Sequence, residues 1–79
     1  MLVRLSDLKP GQTGTVVRVE GDKLIRRRMM DMGMVRGTDV LVKRVAPLGD
    51  PIEFVVRGYN LSLRKTEAQA IEVDVAVSG

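Results

Sequence analysis

The residues best suited to chemistry in this chain are three consecutive arginines, Arg26, Arg27 and Arg28, followed by a run of thioethers, Met29, Met30, Met32 and Met34. A guanidinium stays charged and grips carboxylate or phosphate through paired N–H donors. One arginine delivered to a neighbouring nucleotide site can stabilise a transferring phosphoryl group, although adjacent arginines on a helix usually form a solvated face and a finger usually comes from a protruding loop. Thioethers are soft donors for a soft metal. The 79 residues contain no Cys and no His, which removes the thiol nucleophile, the commonest general base and the commonest transition-metal ligand. Without such partners, methionines fill small irregular cores. The carboxylates Asp22, Asp31, Asp39, Asp50 and Glu53 lie in different segments, so no tight iron site is expected, and Asp50 reads as a turn residue whose side chain holds a nearby backbone N–H. No catalytic residue, cofactor or metal ligand is assigned, and a non-enzymatic role is expected.

Charge is distributed unevenly. Between Lys23 and Arg44 seven basic residues face only Asp31 and Asp39, whereas beyond Lys65 the charged residues are Glu67, Glu72 and Asp74. Such polarity steers association with acidic partners. Nucleic acid is disfavoured because Tyr59 is the only plausible exposed aromatic on which a base could stack. The length suits one domain, read here over residues 1–75 with a frayed tail at 76–79. A run of about 18 or more apolar residues and a signal-peptide pattern are both missing, so a cytoplasmic, free-standing protein without membrane insertion is expected.

These side chains must be positioned by short elements. Leu5 to Leu8, stopped by Pro10 and Gly11, reads as a helical turn. Thr13 to Glu20 reads as a strand closed by Gly21 and Asp22. Asp22 then suits the N-cap of a helix from about Lys23 to Met32, with Gly33 in a left-handed C′ position and Met34 packing back on Met29. After Gly37, Val40 and Val42 alternate with Leu41, Lys43 and Val45; Ile52, Phe54 and Val56 share one strand face, and Leu61 and Leu63 another. Gly58 supplies the positive φ of a hairpin. A turn over Thr66–Ala70 is capped by Thr66, and Ile71, Val73 and Val75 form a last strand. The pattern predicts a mainly β fold: a small, partly open five-stranded barrel with one inserted helix and short helical turns.

On the helix, Ile25, Met29 and Met32 form a core-facing stripe, which turns Met30 outward between the directions of Arg26 and Arg27 and leaves Leu24 off the stripe. Leu24, Arg26, Arg27 and Met30 are therefore the candidate partner-binding residues. Few features guard the open strand edges beyond Pro10, Pro47 and Pro51, so a homo-oligomer stays open.

The segment Ala46-Pro47-Leu48-Gly49-Asp50-Pro51 is too irregular for a generic loop. It stands in a fixed order with Leu5, Leu8 and Gly11; Arg27, Met30, Met32 and Gly33; Arg36 and Gly37; Arg57, Gly58 and Tyr59; and Leu63 to Ala68. In that order and spacing, over residues 1–75, the chain resembles the FeoA family. The resemblance implies an SH3-like barrel and a small cytoplasmic accessory of the ferrous iron transporter FeoB, a membrane protein with a cytosolic G domain, acting by protein–protein contact. The family also carries a label of transition metal ion binding. Three alternatives accompany this reading: an SH3-like adaptor, a metalloregulator-type domain binding another protein, and a weak nucleic-acid binder. Proline-rich ligands are disfavoured because Phe54 and Tyr59 are the only aromatics.

Overall fold

A computed structural model describes residues 1–76, so the rest of the expected tail, 77–79, lies outside the described residues. Six strands form one antiparallel sheet: β1 (Leu2–Arg4), β2 (Thr13–Val19), β3 (Asp39–Val45), β4 (Ile52–Val56), β5 (Tyr59–Leu63) and β6 (Ile71–Asp74). They are ordered β1-β6-β2-β3-β4-β5. The sheet wraps one core in which Phe54, Leu5, Met29, Met34, Leu63 and Ile71 are fully buried. Helix α1 (Lys23–Asp31) is inserted in the connection between the paired strands β2 and β3. A short helix, α2 (Lys65–Gln69), packs on the 3-10 turn Leu5–Asp7.

The mainly β fold with one inserted helix is as the sequence predicts, with a sixth strand added. Residues Leu2–Arg4 are too short for a periodic signal; they become β1 because β6 offers them an edge, in the register Leu2↔Asp74 to Arg4↔Glu72. The cap of α2 also differs. Thr66 lies inside the helix and Arg64 is the N-cap, its N–H donating to Glu67 Oε1 at 2.9 Å. The Lys65 N–H donates to Asp50 Oδ1 at 3.0 Å. Asp50 is thus a long-range clamp between the Pro47–Pro51 loop and α2, in place of the local turn bond expected of it. The Asp50–Pro51 peptide is cis.

Two β-bulges shift the alternation that the sequence pattern suggests. On β2 the register against β6 passes from Val16↔Val73 to Arg18↔Glu72, leaving Val17 unpaired. Strict alternation would send Gly14, Val16 and Arg18 to one face; the extra residue turns Arg18 outward and Val19 against the core. On β3, Lys43 is the extra residue between Val42↔Phe54 and Arg44↔Glu53. Val45 therefore packs against the core, whereas unbroken alternation would place it with Leu41 and Lys43. Both basic side chains of this bulge reach Glu53, Lys43 Nζ at 3.4 Å and Arg44 Nε at 3.1 Å.

Candidate functional site

Helix α1 is held at both ends. Asp22 Oδ1 accepts the Ile25 N–H at 2.9 Å, the N-cap bond expected of that residue. At the other end Gly33 adopts φ +88°, its N–H donates to the Met30 carbonyl at 3.0 Å, and the Met34 N–H donates to the Met29 carbonyl at 2.9 Å. This pair of bonds reverses the chain and returns Met34 to the core beside Met29. Two side chains from elsewhere fix the helix further. The Tyr59 hydroxyl donates to the Met32 carbonyl at 2.9 Å, and Arg28 Nη2 lies 3.3 Å from Glu67 Oε2 on α2.

The orientation follows from those anchors. Met29 is buried, and Ile25 and Met32 pack against the core, so the opposite side of α1 faces outward. Leu24 is 69% exposed and Met30 62% exposed, and Arg26 and Arg27 are exposed beside them. Shallow depressions join these four residues: one of about 290 Å³ is lined by Lys23, Arg26, Arg27 and Met30, and its neighbour by Lys23, Leu24 and Arg27. The three consecutive arginines are not equivalent. Arg28 is engaged with Glu67, whereas Arg26 and Arg27 have no ion-pair partner among the described residues.

On the other flank of Met30 lies an open cleft of about 390 Å³. It is lined by the apolar Val19, Met30, Met34 and Val35 and by the exposed Arg18, Arg26 and Arg36. Arg18, Val19 and Val35 were not singled out by sequence reasoning as binding residues, and Arg36 was quoted there only for the family resemblance. The signal for Arg18 and Val19 is the bulge at Val17, which no local periodicity reveals. Val35 and Arg36 sit between helix and strand, where there is no period to read.

Carboxylates serve structural roles. Besides Asp22 and Asp50, Asp39 Oδ1 accepts from the Thr15 hydroxyl at 2.8 Å. Glu53 is held below the ordinary carboxylate range, first by its hydrogen bond from Arg44, with the Arg44 and Lys43 charges adding and burial opposing. No three His, Cys, Asp or Glu side chains converge as a metal site among the described residues. Of the methionines, Met29 and Met34 are buried in the core, so their sulfurs do not join Met30 in an exposed donor set. No described helix is long and apolar enough to cross a membrane.

Comparison with known proteins agrees with this architecture. The family model for the FeoA domain matches residues 3–75. The chain is similar to the Fe(2+) transport protein A/Fe(2+) transporter FeoB fusion protein of Porphyromonas gingivalis, at 42% identity over 76 residues, covering 96% of this chain but only 9% of that protein's length. Among solved structures it is similar to a FeoA-like protein from Clostridium acetobutylicum, with a TM-score of 0.90, 40% identity, and coverage of 99% of this chain and 91% of the other. It also resembles the zinc complex of FeoA from Stenotrophomonas maltophilia, described as an SH3 domain protein and a candidate ferrous iron transport activating factor. There the TM-score is 0.80, with 29% identity and coverage of 91% and 89%.

Proposed function

The chain belongs to the FeoA family, and we propose that it acts as a non-catalytic accessory of a FeoB-type ferrous iron transporter, docking through α1 on the transporter's cytosolic G-domain region. The observation that carries this reading is the outward face of α1: Leu24 and Met30 exposed on a helix fixed at both ends, with Arg26 and Arg27 beside them and without ion-pair partners among the described residues. Exposed apolar side chains rimmed by arginine suit the buried centre and polar edge of a protein interface. A pre-set helix face binds without first being ordered, which lowers the cost of association. Support for the partner comes from the fusion protein of Porphyromonas gingivalis, whose name joins transport protein A and FeoB in one chain. A cytoplasmic location follows from that partner surface.

The test is an NMR titration of isotope-labelled protein with the isolated cytosolic domain of the cognate transporter, with GDP and with a non-hydrolysable GTP analogue. Shifts should centre on residues 24–30, and Leu24→Ala and Met30→Ala should each weaken binding about tenfold, equivalent to about 1.4 kcal/mol, without lowering Tm. Absence of shifts with either nucleotide would overturn the reading.

A further inference from the structure

We infer that the cleft between α1 and β2 receives an acidic peptide segment carrying one bulky apolar side chain. This deepens the docking reading above, on which it rests, by naming the chemistry of the partner.

The cleft has two complementary parts. Its apolar lining is made by the half-buried Val19 and Val35 and the exposed Met30, over the buried Met34. Its lining also includes Arg18, Arg26 and Arg36, all three exposed. Arg18 shares its charge with Glu72 at 3.3 Å and Glu20 at 3.8 Å, but Arg26 and Arg36 have no carboxylate partner among the described residues. A site with an apolar interior and surplus arginine charge is matched by a ligand with an apolar centre and carboxylates on its flanks.

The alternatives use only half of the site. A nucleic-acid backbone would satisfy the arginines and leave the Val19–Met30–Val35 surface covered by nothing it prefers. Sequence-tolerant binding of single strands relies on aromatic platforms, and no aromatic residue lines the cleft. An uncharged apolar segment would fill the interior and leave Arg26 and Arg36 without a carboxylate. A volume near 390 Å³ falls at the small end of ligand-binding clefts, which favours one inserted side chain over a whole helix face.

Two features of the chain path bring these side chains together. The Val17 bulge turns Arg18 to the rim and Val19 to the interior. The reversal at Gly33 brings Met34 and Val35 back under the helix.

The experiment titrates isotope-labelled protein with a capped ten-residue peptide of Asp and Glu flanking a central Leu-Phe pair. Two control peptides replace the Leu-Phe pair with Ser-Ser or the acids with their amides. Saturable shifts at Val19, Met30, Val35 and Arg36 are expected, with affinity reduced at least tenfold for either control and for Arg36→Glu. Equal binding of the Ser-Ser control, shifts outside the cleft, or no saturable shift at millimolar peptide would each overturn the inference. Titrating Arg36→Glu and Arg27→Glu with the transporter's cytosolic domain separates the two readings. Loss of binding in the Arg27 variant alone would refute the cleft and leave docking intact. Peptide binding in the cleft without any binding of the cytosolic domain would refute docking and leave the cleft.

Discussion

Gly14→Ala is a severe test of the packing that supports this surface, because the cost can be worked from one set of distances. Gly14 lies on β2, and its inward side faces β6 and the 3-10 turn region. A Cβ there would stand 2.8 Å from Val73 Cγ2, 2.9 Å from Val73 Cβ and 3.2 Å from Leu8 Cδ1. Carbon atoms pack best at about 3.5–4.0 Å, so Val73 must retreat by roughly 0.6 Å or more. Its Cβ is tied to the backbone of β6, which is paired on both sides by β1 and β2. Rotation of the side chain cannot relieve that contact. Overpacking of this kind costs about 1–3 kcal/mol, and each kcal/mol lowers Tm by about 4–8 °C in a domain of this size. Val73→Ala alone should cost roughly 2 kcal/mol through lost burial and a cavity. In the double variant the new methyl occupies space that Val73 vacates, so its loss should fall short of the sum of the singles by about 1 kcal/mol or more. Denaturant unfolding of the four proteins measures this. A Gly14→Ala variant as stable as the parent, or a cycle additive within about 0.5 kcal/mol, would refute the steric account.

Further predictions concern the helix and the bulged strand. Asp22→Ala removes the acceptor of the Ile25 N–H and should cost about 0.5–2 kcal/mol, with Asp22→Asn restoring most of it; thermal unfolding and amide exchange over residues 23–26 are the checks. Glu53 has a folded pKa below its ordinary value of 4.5 because of Arg44 and Lys43. Its contribution to stability is therefore full above that value and lost as pH falls through the folded value. The Tm gap between the parent and Glu53→Gln should be widest at neutral pH and close in acid, and a gap independent of pH would contradict the assignment.

The parts of the fold legible in the sequence are those with a local physical cause. The helix boundaries were readable because Asp22 and Gly33 are capping residues at a helical separation. The outward direction of Leu24 and Met30 followed from the spacing of Ile25, Met29 and Met32. What escaped depended on distant partners. β1 exists only because β6 pairs with it, and the N1 amide of α2 finds Asp50 fifteen residues upstream. The Arg57-Gly58 turn was half legible: Gly58 announces a positive φ, but Arg57 also adopts one, at 50°, which its residue type does not suggest. Its Nη2 donates to the nearly buried Thr38 hydroxyl at 3.3 Å, which gives that side chain a reason to be there.

The bulges explain why the candidate surface was only partly visible. A strand read as continuous would place Arg18 on the inner face with Gly14 and Val16, where an unpaired guanidinium is prohibitively costly. The sequence thus contained a conflict at Arg18, and one inserted residue resolves it by changing the phase of the strand. A charged side chain at an inward position of an otherwise well-patterned strand is accordingly a signal for a bulge in its own right. In this chain that signal leads to the rim of the cleft, since the residue turned outward is Arg18 and the one turned inward is Val19. The same conflict occurs on β3, where Val45 falls out of phase with Val40 and Val42, and it is resolved by the same device at Lys43. There the displaced bases meet Glu53, as Arg18 meets Glu72 and Glu20 at the first bulge; Arg26 and Arg36, which line the cleft beside Arg18, have no carboxylate partner among the described residues. Unmatched arginine charge beside apolar side chains therefore distinguishes the α1 side of the barrel, and it is the ground on which the docking proposal stands.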